Sequence, residues 1–209
     1  MDASSDMRPM VVLLHGLGRT PASMWLLARR ISNGGFTVAR LGYDSTRQSV
    51  STSIAEVRRR LGQLCSGPVH LVGHSLGGLI AATILREPDG IQVARIVQIG
   101  SPNLGSPLAA RLGGAWPARR LCGPALAELS LVSALPEPEA RIGAIAGTFG
   151  PPGTGLRAPH DGGVSLRSAW AGAGSRAAVP VIHTLLPLSP EVARLTVQFL
   201  NHGTFGSAR

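Results

Sequence analysis

The 209-residue chain is long enough for one buried core and too short for two elaborated ones, so a single domain over residues 1–209 is expected. Its net charge of +9 comes from 20 basic residues that are all arginine and lie scattered, while aromatic residues make up only 4%. A nucleic-acid binder needs clustered cations interleaved with stacking rings, so that class is set aside.

No apolar run approaches the ~20 residues that span a bilayer, and the polar, acidic first ten residues, Met1 to Met10, followed by an apolar run of only Val11 to Leu14, do not have the form of an export signal. Cytoplasmic action without a transmembrane segment is expected. Cys65 and Cys122 lie far apart in no metal-like spacing and read as reduced thiols.

In chain order, Met10 to Leu14 is a short apolar run suited to a strand buried on both faces, and it ends at His15-Gly-Leu-Gly18. Thr20 and Pro21 predict a helix start, with Met24, Leu27, Ala28 and Ile31 on its buried stripe and Gly34-Gly35 stopping it. Phe36 to Leu41 reads as the second strand. A second helix is expected to open at Ser53 and Glu56, in capping-box spacing, and to bury Ile54, Val57, Leu61 and Leu64. Arg58-Arg59-Arg60 falls on its solvated face.

Pro68 to Leu85 then reads as strand, tight turn and helix with Ser75 at the corner. Gly73 and Gly77 flank that serine at two positions on each side, which lets strand and helix approach without a Cβ clash. Val69, Leu71 and Val72 before it and Leu79, Ile80, Ala82 and Ile84 behind it supply the strand-turn-helix context that a Gly-x-Ser-x-Gly pattern needs to carry meaning.

Val93 to Ile99 is a fourth strand, Arg141 to Ala146 a fifth and Ala177 to Ile182 a sixth ending at His183. Ser189 and Pro190 open a last helix that buries Val192, Leu195, Thr196 and Phe199 and stops near Gly203. Strand and helix alternate throughout, which predicts an α/β fold with a predominantly parallel sheet of about six strands and helices on both faces.

A serine hydroxyl is a weak nucleophile at neutral pH, and acyl transfer needs a base within hydrogen-bond reach and an acid that orients it. Asp161 and His183 are placed to follow strands, at the carboxyl edge where α/β sites form. Ser75 is assigned as nucleophile, His183 as base and Asp161 as acid. The oxyanion donors are expected to be the backbone N–H of Leu76, at the helix start, and of Leu17, in the first loop. His15 and His74 are read as structural. No histidine pair has the spacing of a metal site, and no cofactor is expected.

These segments together resemble the α/β-hydrolase family in its minimal form, and within it the small, nearly lidless bacterial lipases and esterases. The resemblance rests on Val11 to Gly18, Val72 to Gly78, Gly100 to Ser106, His160 to Val164 and His183. Ser101 to Ser106 matches in part the Thr-Pro-His-x-Gly-Ser segment of related lipases, with Asn103 in place of the histidine, and Asp161 is followed by Gly162-Gly163-Val164 where relatives have Gly-Val-Val. The resemblance implies hydrolysis of small-molecule or lipid carboxylic esters through an acyl-serine. An acyltransferase or thioesterase with the same triad, or a catalytically silent binding module on this fold, are the alternatives.

The connection between the fourth and fifth strands is about forty residues, whereas a crossover with its helix needs about a dozen. A short lid or pocket-lining insertion within 103–139 is expected, with Leu104 and Trp116 as tentative substrate-binding residues.

Overall fold

The computed structural model describes residues 9–105 and 138–206. Six strands form one all-parallel sheet in the order β2-β1-β3-β4-β5-β6. They are β1 (Met10–Leu14), β2 (Val38–Leu41), β3 (Val69–His74), β4 (Val93–Ile99), β5 (Glu139–Gly147) and β6 (Ala173–Val179). The helices are α1 (Trp25–Asn33), α2 (Val50–Leu64), α3 (Leu76–Arg86), the short α4 (Leu166–Trp170) and α5 (Pro190–His202).

Strand periodicity divides the core in two. Val12, Leu14 and Leu71 point to the face covered by α2 and α3, while Val11, Leu13 and Val72 point to the face covered by α1 and α5. A parallel sheet covered on both faces needs such continuous apolar strands. α5 matches its sequence reading: the Ser189 side chain accepts from Val192 N–H, Pro190 fills the first turn, and Gly203 closes the helix at φ 75°.

Four local expectations are corrected. The chain after Thr20 forms a 3-10 turn, Pro21–Met24, before α1, and the Thr20 side chain caps nothing. α2 begins earlier, because Ser49 accepts from Thr52 N–H; Ser53 is buried inside the helix and Glu56 pairs with Arg60 at 2.8 Å instead of completing a capping box. Leu64, on the last turn of α2, is 44% exposed rather than core.

The last strand spans Ala173–Val179, not Ala177 to Ile182. β6 pairs only with β5, at the sheet edge, and Gly174, Arg176 and Ala178 face outward, so its first half, Ala173 to Arg176, does not carry the apolar run that was expected over Ala177 to Ile182. Pro180 lacks an N–H and ends the ladder. His183 therefore does not follow the strand directly but opens a 3-10 segment, His183–Leu188. Most of the long connection, including Trp116, lies outside the described residues.

Candidate active site

The serine corner is built from β3 and α3. Ser75 has φ 53° and ψ −118°, a left-handed conformation costing a side-chain-bearing residue about 1–3 kcal/mol. It persists because its neighbours have no freedom. A Cβ on Gly77 would lie 2.4 Å from the Leu14 carbonyl oxygen, and one on Gly73 would lie 2.3 Å from the Gly77 backbone, so β1, β3 and α3 meet at contact distance. Ser75 N–H donates to Ile99 O at 2.9 Å, tying the corner to β4. Every residue from Val69 to Leu85 is buried except Ser75 and Thr83, which are half-buried.

A buried amide network holds α3 from behind. Gln98 Nε2 donates to Gly78 O at 2.9 Å and to Asn103 Oδ1 at 3.0 Å, and Asn103 Nδ2 donates to Gln98 Oε1 and to Ala169 O. Asn103 thus links the elbow to α4. Gln98 was missed by sequence reasoning, although a glutamine inside an otherwise apolar strand was a visible signal.

The first loop lies against the serine. A Cβ on Gly16 would be 2.9 Å from His74 Nδ1 and 3.3 Å from Ser75 Cβ. His15 is held within this loop: its ring stacks on Tyr43 with centroids 4.4 Å apart, its Nδ1 donates to Gly16 O at 2.9 Å, and its Nε2 accepts from Tyr43 N–H at 3.4 Å. The Tyr43 hydroxyl donates to His15 O, and Gly18 N–H donates to Ser45 Oγ. Burial lowers the His15 pKa, so the ring stays neutral. Neither the Leu17 nor the Leu76 N–H has an acceptor among the described residues. Leu76 is the first residue of α3, where an amide has no intrahelical partner.

Asp161 and His183 meet across the long separation between them. His183 Nδ1 donates to Asp161 Oδ2 at 2.8 Å, and His183 N–H donates to Asp161 O at 2.9 Å. Asp161 Oδ1 accepts from Gly163 N–H at 2.9 Å and Val164 N–H at 2.7 Å, so the extra glycine of this loop supplies a donor to the acid. The carboxylate is 1% exposed and the imidazole 19%. With Nδ1 donating, Nε2 is the nitrogen free to accept a proton.

The pair packs over the residue that follows β4. A Cβ on Gly100 would lie 3.1 Å from His183 Nδ1 and 3.2 Å from Asp161 Oδ2. Ile99, whose carbonyl holds Ser75, is its chain neighbour, so Ser75 and the Asp161–His183 pair share one sheet edge. Among the described residues Ser75 makes no hydrogen bond to His183; such bonds are often long before substrate binds.

His74 joins the two sides. It is buried, its Nε2 donates to His183 O at 3.1 Å, and the two rings stand 4.9 Å apart. Burial, with the nearby positive charge of His183 and Arg19, holds its pKa well below the ordinary value, so it stays neutral.

Leu104 is 49% exposed and lines a different cleft, of about 960 Å³, with Trp170, Arg157, Arg167 and Arg176. Among the described residues no group of three or more His, Cys, Asp or Glu is placed to hold a metal, no helix is long and apolar enough to cross a membrane, and Cys65 is a free thiol.

Among solved structures, the mature lipase BlEst2 of Bacillus licheniformis superposes with a TM-score of 0.71 at 18% identity, over 98% of this chain and 95% of that one. A monoacylglycerol lipase of Paleococcus ferrophilus gives 0.64 at 17%, over 94% and 95%. YbtT, a type II thioesterase from the yersiniabactin pathway, gives 0.65 at 14%, over 97% and 95%. At these identities the likeness is one of fold. A search of curated proteins returns no match. The sequence pattern of the alpha/beta hydrolase family matches residues 11–205, and the chain belongs to that family.

Proposed function

We propose that the protein is a serine hydrolase of carboxylic esters. The observation that carries this reading is the placement, at one sheet edge, of a strained Ser75 and a His183 whose Nδ1 is held by buried Asp161.

Ser75 Oγ attacks the ester carbonyl and gives its proton to His183 Nε2. The Leu17 and Leu76 amides, fixed before reaction, receive the oxyanion; donors of this kind contribute roughly 3–4 kcal/mol each to the transition state. Asp161 keeps the imidazole in the Nδ1–H tautomer and stabilises it when protonated. His183 then returns the proton to the departing oxygen, and water repeats the cycle on the acyl-serine.

Thioester hydrolysis is the second reading. The arginine-lined cleft beside Leu104 favours it, since a phosphate-bearing carrier would find its charge matched there. The test is hydrolysis of matched oxygen esters and carrier-type thioesters, with products weighed in the presence of an added alcohol. Free acid from oxygen esters at the higher kcat/KM is expected. Preferential turnover of the thioesters would favour the second reading, and a dominant transesterified product would make the protein an acyltransferase.

A further inference from the structure

His183 sits on a segment that the sheet does not hold. β6 ends at Val179, Pro180 stops the ladder, and His183 opens the 3-10 segment beyond. Its backbone is fixed by other means: the N–H donates to Asp161 O at 2.9 Å, and the carbonyl accepts from His74 Nε2 at 3.1 Å. The loop of Asp161 grips one end of the residue and the strand of Ser75 grips the other. Among the described residues the His74 bond is the one hydrogen bond that runs from β3, Ser75 or α3 to the His183–Leu188 segment.

The His74 ring has no room to swing. Its centroid stands 4.9 Å from that of His183, with the two planes tilted by 43°, so the rings are in contact. On another side its Nδ1 lies 2.9 Å from the place a Cβ on Gly16 would take, so the first loop closes on it, and only 1% of the residue is exposed. Its own backbone continues directly into Ser75.

Its hydrogen has one position. A carbonyl can only accept, so Nε2 carries the hydrogen and Nδ1 is bare. Nδ1 has no partner among the described residues. A doubly protonated ring would turn a second N–H toward Gly16, and burial, then the charges of His183 and Arg19, disfavour that form.

What this arrangement governs is a distance. A general base must come within about 3 Å of the hydroxyl it deprotonates. Here the one polar tie between the two segments joins residues 109 apart in sequence, and it passes through a single rigid ring. We propose that His74 is a positioning residue: its Nε2–H holds the His183 backbone, and its ring the His183 imidazole, at the spacing from which His183 Nε2 reaches Ser75 Oγ. This rests on the ester-hydrolase reading above. His74 exchanges no proton with substrate and acts only through His183.

The test compares two amides at this position in the full chain. In His74→Gln the side-chain nitrogen can take the place of Nε2 and donate to His183 O, whereas in His74→Asn it is one carbon shorter and falls at the place of Nδ1. His74→Asn should lose about 10–100-fold in kcat with KM nearly constant, and His74→Gln should recover most of that loss. The proton resonance of the His183 Nδ1–H···Asp161 bond should shift in His74→Asn and return toward its wild-type position in His74→Gln. A residue that merely supported the fold would lower the melting temperature of both variants and leave that resonance and kcat per folded molecule in place. Wild-type kcat in His74→Asn, equal losses in both variants, or a loss confined to KM would overturn the assignment. If neither variant folds, nitrogen-15 histidine spectra of the wild type decide: a His74 hydrogen on Nε2 in slow exchange is expected, and one on Nδ1, or in fast exchange, would overturn it. Fluorophosphonate labelling of the wild type separates the two failures: with Ser75 labelled, any of those results removes His74 alone, and with Ser75 unlabelled the hydrolase reading falls and His74's role with it.

Discussion

On the serine side of the site, Gly73, Ser75 and Gly77 stand within a few residues of each other, and their geometry is dictated by backbone contacts between β1, β3 and α3. On the histidine side, Asp161 and His183 are 22 residues apart on connecting segments, and they meet through hydrogen bonds to each other and to the Gly163–Val164 turn. The first side is held by packing that no side chain can replace; the second is held by polar groups that single substitutions can remove. Breaking the two sides should therefore look different: chemistry lost with folding intact on the histidine side, and changes coupled to the fold on the serine side.

The largest effect is expected at Asp161. Asp161→Asn keeps the shape but offers Nδ1 a mixed partner that permits the wrong imidazole tautomer, and kcat should fall by about 10³–10⁴-fold. Thermal unfolding should move little by comparison. Turnover within tenfold of wild type would remove Asp161 from the acid's role.

The serine side carries its own acid sensitivity. His70, on β3, is buried with no partner for Nδ1 among the described residues, and burial, then the charge of Arg95, lowers its pKa from 6.5 to about 4; His15 and His74 shift in the same direction. The unfolded chain binds protons first as pH falls below 6.5, so stability is full above that value and declines toward pH 4, where His70 also protonates in the folded state. His70 alone contributes a decline on the order of 3 kcal/mol. Urea unfolding between pH 7 and 4 should show this slope, flattened in His70→Leu; superimposable slopes would contradict it.

Gly16→Ala sharpens the comparison, because the new methyl would press on His74 and Ser75 and displace the Leu17 amide. A loss of roughly 10–100-fold in kcat, with KM nearly constant, is expected from a misplaced oxyanion donor. A purely KM effect would place Leu17 in binding instead. Smallest of all, Tyr43→Phe removes the hydroxyl that braces His15 O, and a few-fold drop in kcat is expected, about 1 kcal/mol for one hydrogen bond. A drop comparable to that of Gly16→Ala would mean that the loop depends on this one bond.

The same division explains what could be read from the sequence. Ser75 and its glycines were legible because the corner is a local event whose steric demand is written in consecutive residues. The central strands were legible because both faces of the sheet are covered there, and β1 and β3 bury nearly every residue. β6 was displaced in the reading because an edge strand needs only half of that pattern. The α2 start was misplaced because Ser49 and Ser53 offer equally good caps in sequence and only packing buries one of them. Asp161 and His183 could be nominated by order, but the Gly163 and Val164 amides that hold the acid, and the Gln98–Asn103 network behind the elbow, are tertiary contacts with no period to betray them.

The central claim is that Ser75 is an activated nucleophile, and a fluorophosphonate probe followed by mass analysis of the labelled peptide tests it most directly. The account predicts one adduct, on Ser75, absent in Ser75→Ala and formed far more slowly in Asp161→Asn. Folded wild-type protein that takes no label, or that is labelled equally in Ser75→Ala, would contradict it.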